Sequence, residues 1–246
     1  MSFEQLGLST DLLRAISDQG YTKPTPIQEQ AIPVILEGND VMGGAQTGTG
    51  KTAGFTLPML RRLEIHANSS MSPARHPVRA LILVPTRELA MQVYESVKTY
   101  GKYLSLRSTV VYGGVNIDAQ IDAVRSGIEI LVATPGRLLD HLQQKTLTLT
   151  KVEILILDEA DRMLDMGFLP DIKQIIQLLP EQRQNLMFSA TFSEEIKKLA
   201  NKILKKPVLI EVAKQNSVSE LISHVVYPIE SIRKQELLVF LIKQKD

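Results

Sequence analysis

A chain of 246 residues, 44% apolar and 22% charged, can form one large globular domain, or one domain and part of another. Its formal net charge of +1 gives no sign of nucleic-acid binding, so any nucleic-acid site must be a local arrangement of a few basic groups. The absence of cysteine excludes disulfides and thiolate metal sites.

The start, Met1–Leu6, has neither the basic nor the apolar stretch of an export signal. The longest apolar runs, such as Ile154–Leu157, are too short to cross a bilayer. A cytoplasmic location with no membrane partner is expected. Ser9-Thr10-Asp11 can cap a helix running to about Gln19, with Gly20 to end it. Short β-branched or Leu-rich runs follow at Asp40–Met42, Ala80–Val84, Ser108–Tyr112, Glu129–Ala133, Ile154–Leu157, Leu186–Phe188 and Val208–Val212. Between them lie segments of helical periodicity, such as Leu89, Val93, Val97 and Tyr100. His66–Pro77, rich in Asn, Ser and Pro, reads as an exposed, variable loop. The central runs are continuously apolar, as strands covered by helices on both faces must be. The alternation predicts an α/β fold with a doubly wound, mostly parallel sheet, whose ligands sit beyond the strands' carboxyl ends. Residues 1–212 form this domain in the expected division. Residues 213–223 are polar and aperiodic, and read as a linker. Residues 224–246 hold one strand pattern, His224–Ile229, and one helix pattern, Ser231–Lys243, too little to bury a core.

The chemically suggestive residues fall at strand ends. Ala45-Gln46-Thr47-Gly48-Thr49-Gly50-Lys51-Thr52 stands between a strand and a helix expected over Lys51 to about Glu64, the context of a phosphate loop. Gly48 and Gly50 let successive N–H groups face phosphates at a helix N-terminus; Lys51 reaches the β- and γ-phosphates, and the Thr52 hydroxyl ligates Mg²⁺. Ala45 replaces the glycine that opens the strict pattern. Asp158-Glu159-Ala160-Asp161 follows the strand Ile154–Leu157. Asp158 is placed to hold Mg²⁺ through water, and Glu159 to orient or deprotonate an attacking water. Asp161, three residues on, would share a helical face with Asp158 and be free for an internal contact. The plainer alternative is that acids simply favour a helix N-terminus. Ser189-Ala190-Thr191, after Leu186–Phe188, means nothing by itself, since Ser and Thr are common caps.

Together with Gly20-Tyr21-Thr22-Lys23-Pro24-Thr25-Pro26-Ile27-Gln28, Pro85-Thr86-Arg87-Glu88-Leu89-Ala90, Gly113-Gly114 and Thr134-Pro135-Gly136-Arg137, these motifs resemble, in order and over essentially the whole chain, the first RecA-like domain of DEAD-box ATP-dependent RNA helicases, with the bacterial RhlE-like branch the nearest match. The resemblance implies a RecA-like fold of the phosphate-loop NTPase type, ATP and Mg²⁺ as cofactors and RNA as partner. Gln28 would then read both edges of adenine while Tyr21 stacks on it; without the family, Gln28 is an ordinary helix residue. Pro85, Thr86, Arg87, Gly113, Gly114, Thr134, Pro135, Gly136 and Arg137 would contact the RNA backbone with little sequence preference. Viewed alone, each of the two arginine motifs is better explained as a helix cap beside a surface arginine. Asp161, Ser189 and Thr191 would couple ATP to strand separation.

Family members carry a second RecA-like domain that supplies arginines to the transferring phosphate, and its motifs do not occur here. The tail from His224 resembles only the start of that domain. An absent arginine finger costs about 10³- to 10⁵-fold in rate. The expectation is a chain that binds nucleotide, hydrolyses it poorly, and needs the second domain in cis for activity. Leu237, Leu238, Phe240, Leu241 and Ile242 would be partly exposed and could drive self-association. Two alternatives are a truncated, non-catalytic module that binds RNA or a partner, and another phosphate-loop phosphotransferase, which would leave Gln28, Arg87, Arg137 and the Ser189–Thr191 triplet unexplained.

Overall fold

The computed structural model describes residues 1–44, 48–211, 225, 227–230 and 233–243. The chain divides into two compact units, Met1–Ala213 and Lys214–Asp246. The expected linker over 213–223 lies outside the described residues.

The first unit is built on seven short strands, β1 (Val41–Gly44), β2 (Ala80–Leu83), β3 (Ser108–Val111), β4 (Ile130–Ala133), β5 (Ile154–Leu157), β6 (Gln184–Ser189) and β7 (Val208–Glu211). They form one sheet in the order β3-β4-β2-β5-β6-β1-β7, and every pairing is parallel. Successive strand residues point to opposite faces, so each apolar run feeds two cores. Ile82, Val132, Ile156 and Phe188 meet helices α1 (Thr10–Asp18), α2 (Pro26–Leu36), α3 (Lys51–Glu64) and α4 (Arg87–Tyr100). Leu81, Leu83, Leu131, Leu155 and Met187 meet α5 (Asp118–Arg125), α6 (Pro135–Gln143), α7 (Ala160–Asp165), α8 (Leu169–Gln177) and α9 (Glu194–Ile203). This is the doubly wound, RecA-like α/β architecture expected from the sequence.

The phosphate-loop strand is fitted into the sheet by its glycines. Gly43 pairs with Phe188 of β6, and a Cβ on Gly43 would lie 2.5 Å from that ring. A Cβ on Gly44 would lie 2.6 Å from Phe192. Only glycine lets β1 run between those rings. At the opposite edge Asp40 anchors the same strand: its carboxylate accepts from the N–H of Asn185 (2.7 Å), Asn185 Nδ2 (3.1 Å) and the N–H of Lys205 (2.7 Å).

Three local expectations are corrected. Ser9 does not cap α1 through its side chain; its hydroxyl donates to Glu64 Oε2 at 2.9 Å. The segment His66–Pro77 is not uniformly exposed: it contains a 3₁₀ turn, Pro73–Arg75, and His76 is buried against Glu129, a polar pair joined across distant sequence. The strand expected over His224–Ile229 does not form among its described residues, Val225 and Tyr227–Ile229; among the described residues of the second unit no other strand is present to pair with it, and His224 and Val226 lie outside the described residues. In the second unit α10 (Lys234–Lys243) is a helix with no buried residue, and Leu238, Phe240 and Ile242 are exposed. Among the described residues no helix is long and apolar enough to cross a membrane.

Candidate functional site

The sequence-predicted residues gather along one edge of the sheet, beyond the carboxyl ends of the strands. Following strand order, Gly113-Gly114 follows β3, Thr134–Arg137 follows β4, Pro85–Arg87 follows β2, Asp158-Glu159 follows β5, Ser189–Thr191 ends β6, and the phosphate loop follows β1. Loop residues Ala45, Gln46 and Thr47 are outside the described residues.

Beside the turn into α3 a cavity of about 450 Å³ is lined by Gln28, Gly48, Gly50, Lys51, Thr52, Asp158 and Glu159. Its geometry follows from the turn into α3. Gly50, at φ +89°, is the N-cap, and a Cβ there would come within 2.5 Å of Gln28 Nε2 and 2.9 Å of Thr25 Oγ1. Gly48 also takes a left-handed φ, +84°, yet nothing within 4 Å would meet its Cβ. The chain therefore turns tightly at Gly50 and leaves open space at Gly48, with the N-terminal N–H groups of a 14-residue helix behind both.

Gln28, 5% exposed, ties this loop to the segment before α2. Its Nε2 donates to the carbonyl of Gly50 (3.0 Å), and its Oε1 accepts from the N–H of Thr25 (3.0 Å). Each end of the amide retains hydrogen-bonding capacity, one N–H and one lone pair. Tyr21 is half exposed at the cavity rim, and its hydroxyl lies 3.5 Å from that of Tyr100. Burial and the Tyr21 hydroxyl push the Tyr100 phenol well above its ordinary range, so it stays protonated. Phe3, Thr25, Leu89, Gln92 and Tyr100 also line the cavity and were missed by the sequence reading. They come from a 3₁₀ turn, from the α2 cap and from α4; Thr25 and Leu89 lie within the Gly20–Gln28 and Pro85–Ala90 segments, whereas no local motif marks Phe3, Gln92 or Tyr100.

Lys51 and Asp158 are both buried at the cavity floor. Burial pushes the Asp158 carboxyl up to about 6; nearby Lys51 opposes this, Glu159 and Asp161 add to it, and the N–H of Glu159, donating at 3.0 Å, again opposes it. Glu159 sits at φ +51°, ψ +50°, a left-handed conformation uncommon for a residue with a side chain. That break corrects one expectation: α7 begins at Ala160, so Asp158 lies just after the strand, outside the helix, and shares no helical face with Asp161. Asp161 lies in the first turn of α7, where its Oδ2 accepts from the N–H of Ala190 (3.2 Å), the N–H of Thr191 (3.0 Å) and Thr191 Oγ1 (3.2 Å). Ser189 does not reach Asp161; its hydroxyl donates to the Thr191 carbonyl at 2.8 Å.

At the other end of the edge, Arg87 is exposed and, among the described residues, paired only with its neighbour Glu88, at 3.3 Å. Thr86 caps α4 by accepting from the N–H of Leu89. Pro85, Thr134 and Pro135 are buried, so these three offer an exterior partner backbone rather than side chains. Arg137 has a side chain only 10% exposed; its Nη2 donates to the Val115 carbonyl at 2.8 Å and its Nε lies 3.3 Å from Asp140.

Sequence comparison decides the affiliation. The profile of the DEAD/DEAH box helicase family matches residues 25–199. The chain belongs to the DEAD/DEAH box helicase family. Curated relatives agree. The DEAD-box ATP-dependent RNA helicase RhpA of Helicobacter pylori is 42% identical over 241 residues, 98% of this chain and 47% of that protein. The DEAD-box ATP-dependent RNA helicase CshA of Streptococcus pneumoniae is 46% identical over 222 residues, 90% of this chain and 41% of the relative. The ATP-dependent RNA helicase DeaD of Escherichia coli is 42% identical over all 246 residues, 38% of its own length. The chain thus spans less than half the length of these DEAD-box relatives.

Proposed function

We propose that this chain is the ATP- and RNA-binding part of an ATP-dependent RNA helicase, an enzyme in which RNA-stimulated ATP hydrolysis is coupled to local unwinding. The observation that carries the reading is the single cavity in which Gln28, Gly50, Lys51, Thr52, Asp158 and Glu159 converge. In it the α3 N-terminus and Lys51 receive the phosphates. The remaining N–H and lone pair of the Gln28 amide face the N7 and N6 of adenine, and Tyr21 supplies a stacking face.

A divalent cation fits this site. Asp158 is a buried carboxylate whose charge is poorly compensated within the chain. Among the described residues no group of three or more His, Cys, Asp or Glu could cage an ion. Mg²⁺ suits such a sparse set, since it keeps waters and takes substrate phosphate oxygens. Thr52 and, through water, Asp158 would hold it, and when bound it neutralises charge developing on the transferred phosphoryl group. Glu159 then orients the attacking water and accepts its proton, held by a backbone fixed out of the helix.

Thr86, Arg87, Gly113, Gly114, Thr134, Gly136 and Arg137, on loops buttressed by Pro85 and Pro135, form the RNA surface. It reads phosphate and sugar, and so has little sequence preference. Asp161 couples ATP to strand separation from the nucleotide side: it links the helix following Asp158 to the backbone at Ala190 and Thr191, with Ser189 bracing that turn. Full turnover requires a second RecA-like domain in cis.

The test is ATP hydrolysis with and without single-stranded RNA, comparing this chain with a version extended by a complete second domain. The expected result is strong RNA stimulation in the extended protein and a rate lower by about 10³-fold or more in this chain. Glu159→Gln in the extended protein should bind ATP normally and stop turnover. Absence of RNA stimulation in the extended protein would refute the helicase reading.

A further inference from the structure

Gln120 lies outside every motif recognised in the sequence, yet it engages one backbone residue of the proposed RNA surface with both ends of its amide. It sits in the first turn of α5, 9% exposed. Its Nε2 donates to the carbonyl of Tyr112 at 3.1 Å, and its Oε1 accepts from the N–H of the same residue at 3.2 Å. Tyr112 follows the last residue of β3, the edge strand of the sheet, and immediately precedes Gly113-Gly114. The side-chain amide thus takes the place of a neighbouring strand for one residue beyond the sheet edge.

The far side of the same turn is also held, because Arg137 donates to the carbonyl of Val115 at 2.8 Å. Between these two attachments the glycines are not explained from inside the molecule alike. Gly114 takes φ +82° and needs glycine for its backbone. Gly113 does not take a left-handed φ, and a Cβ there would meet nothing within 4 Å. Gly136, in the first turn of α6, is in the same position, with open space and a helical backbone that any residue adopts. Bare backbone with no internal reason for it is what an external partner pressing against N–H groups requires.

We propose that Gln120 is a positioning residue for RNA: by clamping Tyr112 it holds the Gly113-Gly114 turn in the shape that receives the backbone of a single strand. It touches no RNA itself. The inference rests on the RNA reading above and adds the residue that shapes one part of that surface. A group that only finished off a strand end would matter for stability alone. A positioning residue also sets RNA affinity, since displacing a backbone N–H by an ångström forfeits its contact with a phosphate.

The experiment measures the affinity of this chain for a fluorescein-labelled single-stranded oligouridine by anisotropy at several salt concentrations. Melting temperature and stabilisation by Mg-ATP are recorded on the same samples. Gln120→Met should raise Kd about tenfold while keeping the Mg-ATP response. The slope of log Kd against log salt should be unchanged, since no cationic contact is removed. Gly113→Val, which the open space around Gly113 accommodates, should weaken RNA binding at least as much. Should Gln120→Met fail to fold, Gln120→Asn carries the same expectation, being a methylene too short to reach both groups of Tyr112. A folded Gln120 variant with wild-type RNA affinity beside an impaired Gly113→Val overturns the positioning role. If Gly113→Val also binds as wild type, the turn is no part of an RNA surface, and the proposal falls with that part of the reading.

Discussion

Asp158 holds its negative charge at neutral pH against the cost of burial. Its folded pKa of about 6 stands above the ordinary 3.8, so the native domain binds this proton more tightly than the unfolded chain does. The resulting stabilisation is full below about pH 4 and is lost as pH rises through about 6. Asp158→Asn should therefore flatten the ligand-free stability profile between those values and raise stability at pH 7.5 by about 1–2 kcal/mol, the loss of attraction to Lys51 limiting the gain. The same variant should lose most of its stabilisation by Mg-ATP. Urea melts at pH 4.5 and 7.5, with and without nucleotide, measure both; a variant less stable than wild type at pH 7.5 without ligand would contradict the burial argument. Asp158 and Lys51 were legible in the sequence because their chemistry lies in short spacings beside strands. Gln28 was legible only through a family likeness, since one glutamine in a helix carries no signal. Phe3 and Tyr100 were not legible at all: they reach the cavity from elements far apart in sequence, by packing that no local pattern encodes.

Elements were read more fully than residues. A strand covered on both faces must be continuously apolar, and β2, β4 and β5 consist of four buried residues each. β1 was the weakest signal, Val-Met-Gly-Gly, because its glycines answer to neighbours rather than to strand propensity. Gly43→Ala should cost about 1–3 kcal/mol by driving a methyl group into the Phe188 ring. In combination with Phe188→Leu the cost should be smaller than the sum of the single changes. A double-mutant cycle by chemical denaturation checks this, and strict additivity would mean that the contact does not govern the strand. The segment His66–Pro77 was misread for a related reason. Its composition is that of a loop, but His76 Nδ1 meets Glu129, and its Nε2 lies 2.7 Å from the Ser70 carbonyl, contacts that exist only after folding. The left-handed Glu159 was equally hidden, since nothing in Asp-Glu-Ala-Asp announces that the helix starts after its second residue.

At the scale of the molecule, the proposed function separates two tasks along one edge. β3, β4 and β2 carry the proposed RNA loops; β5, β6 and β1 carry the proposed nucleotide groups; Asp161 ties the turn after β6 to the helix after β5. Sequence order does not display this, because the strands are not neighbours in the sheet in the order in which they are made. In the second unit, the exposed Leu238, Phe240 and Ile242 predict self-association that rises with concentration. Size-exclusion elution that is monomeric throughout, and unchanged on removing residues 221–246, would contradict this. The central claim is that Lys51 and the turn before it make this edge a nucleotide site. Thermal melting against increasing Mg-ATP tests it most directly. Stability of the chain should climb with the logarithm of ligand concentration, gaining about 2.7 kcal/mol at a hundredfold excess over Kd, while Lys51→Ala, folded, should show no gain. An undiminished response in Lys51→Ala, or none in the unaltered chain, would contradict the account.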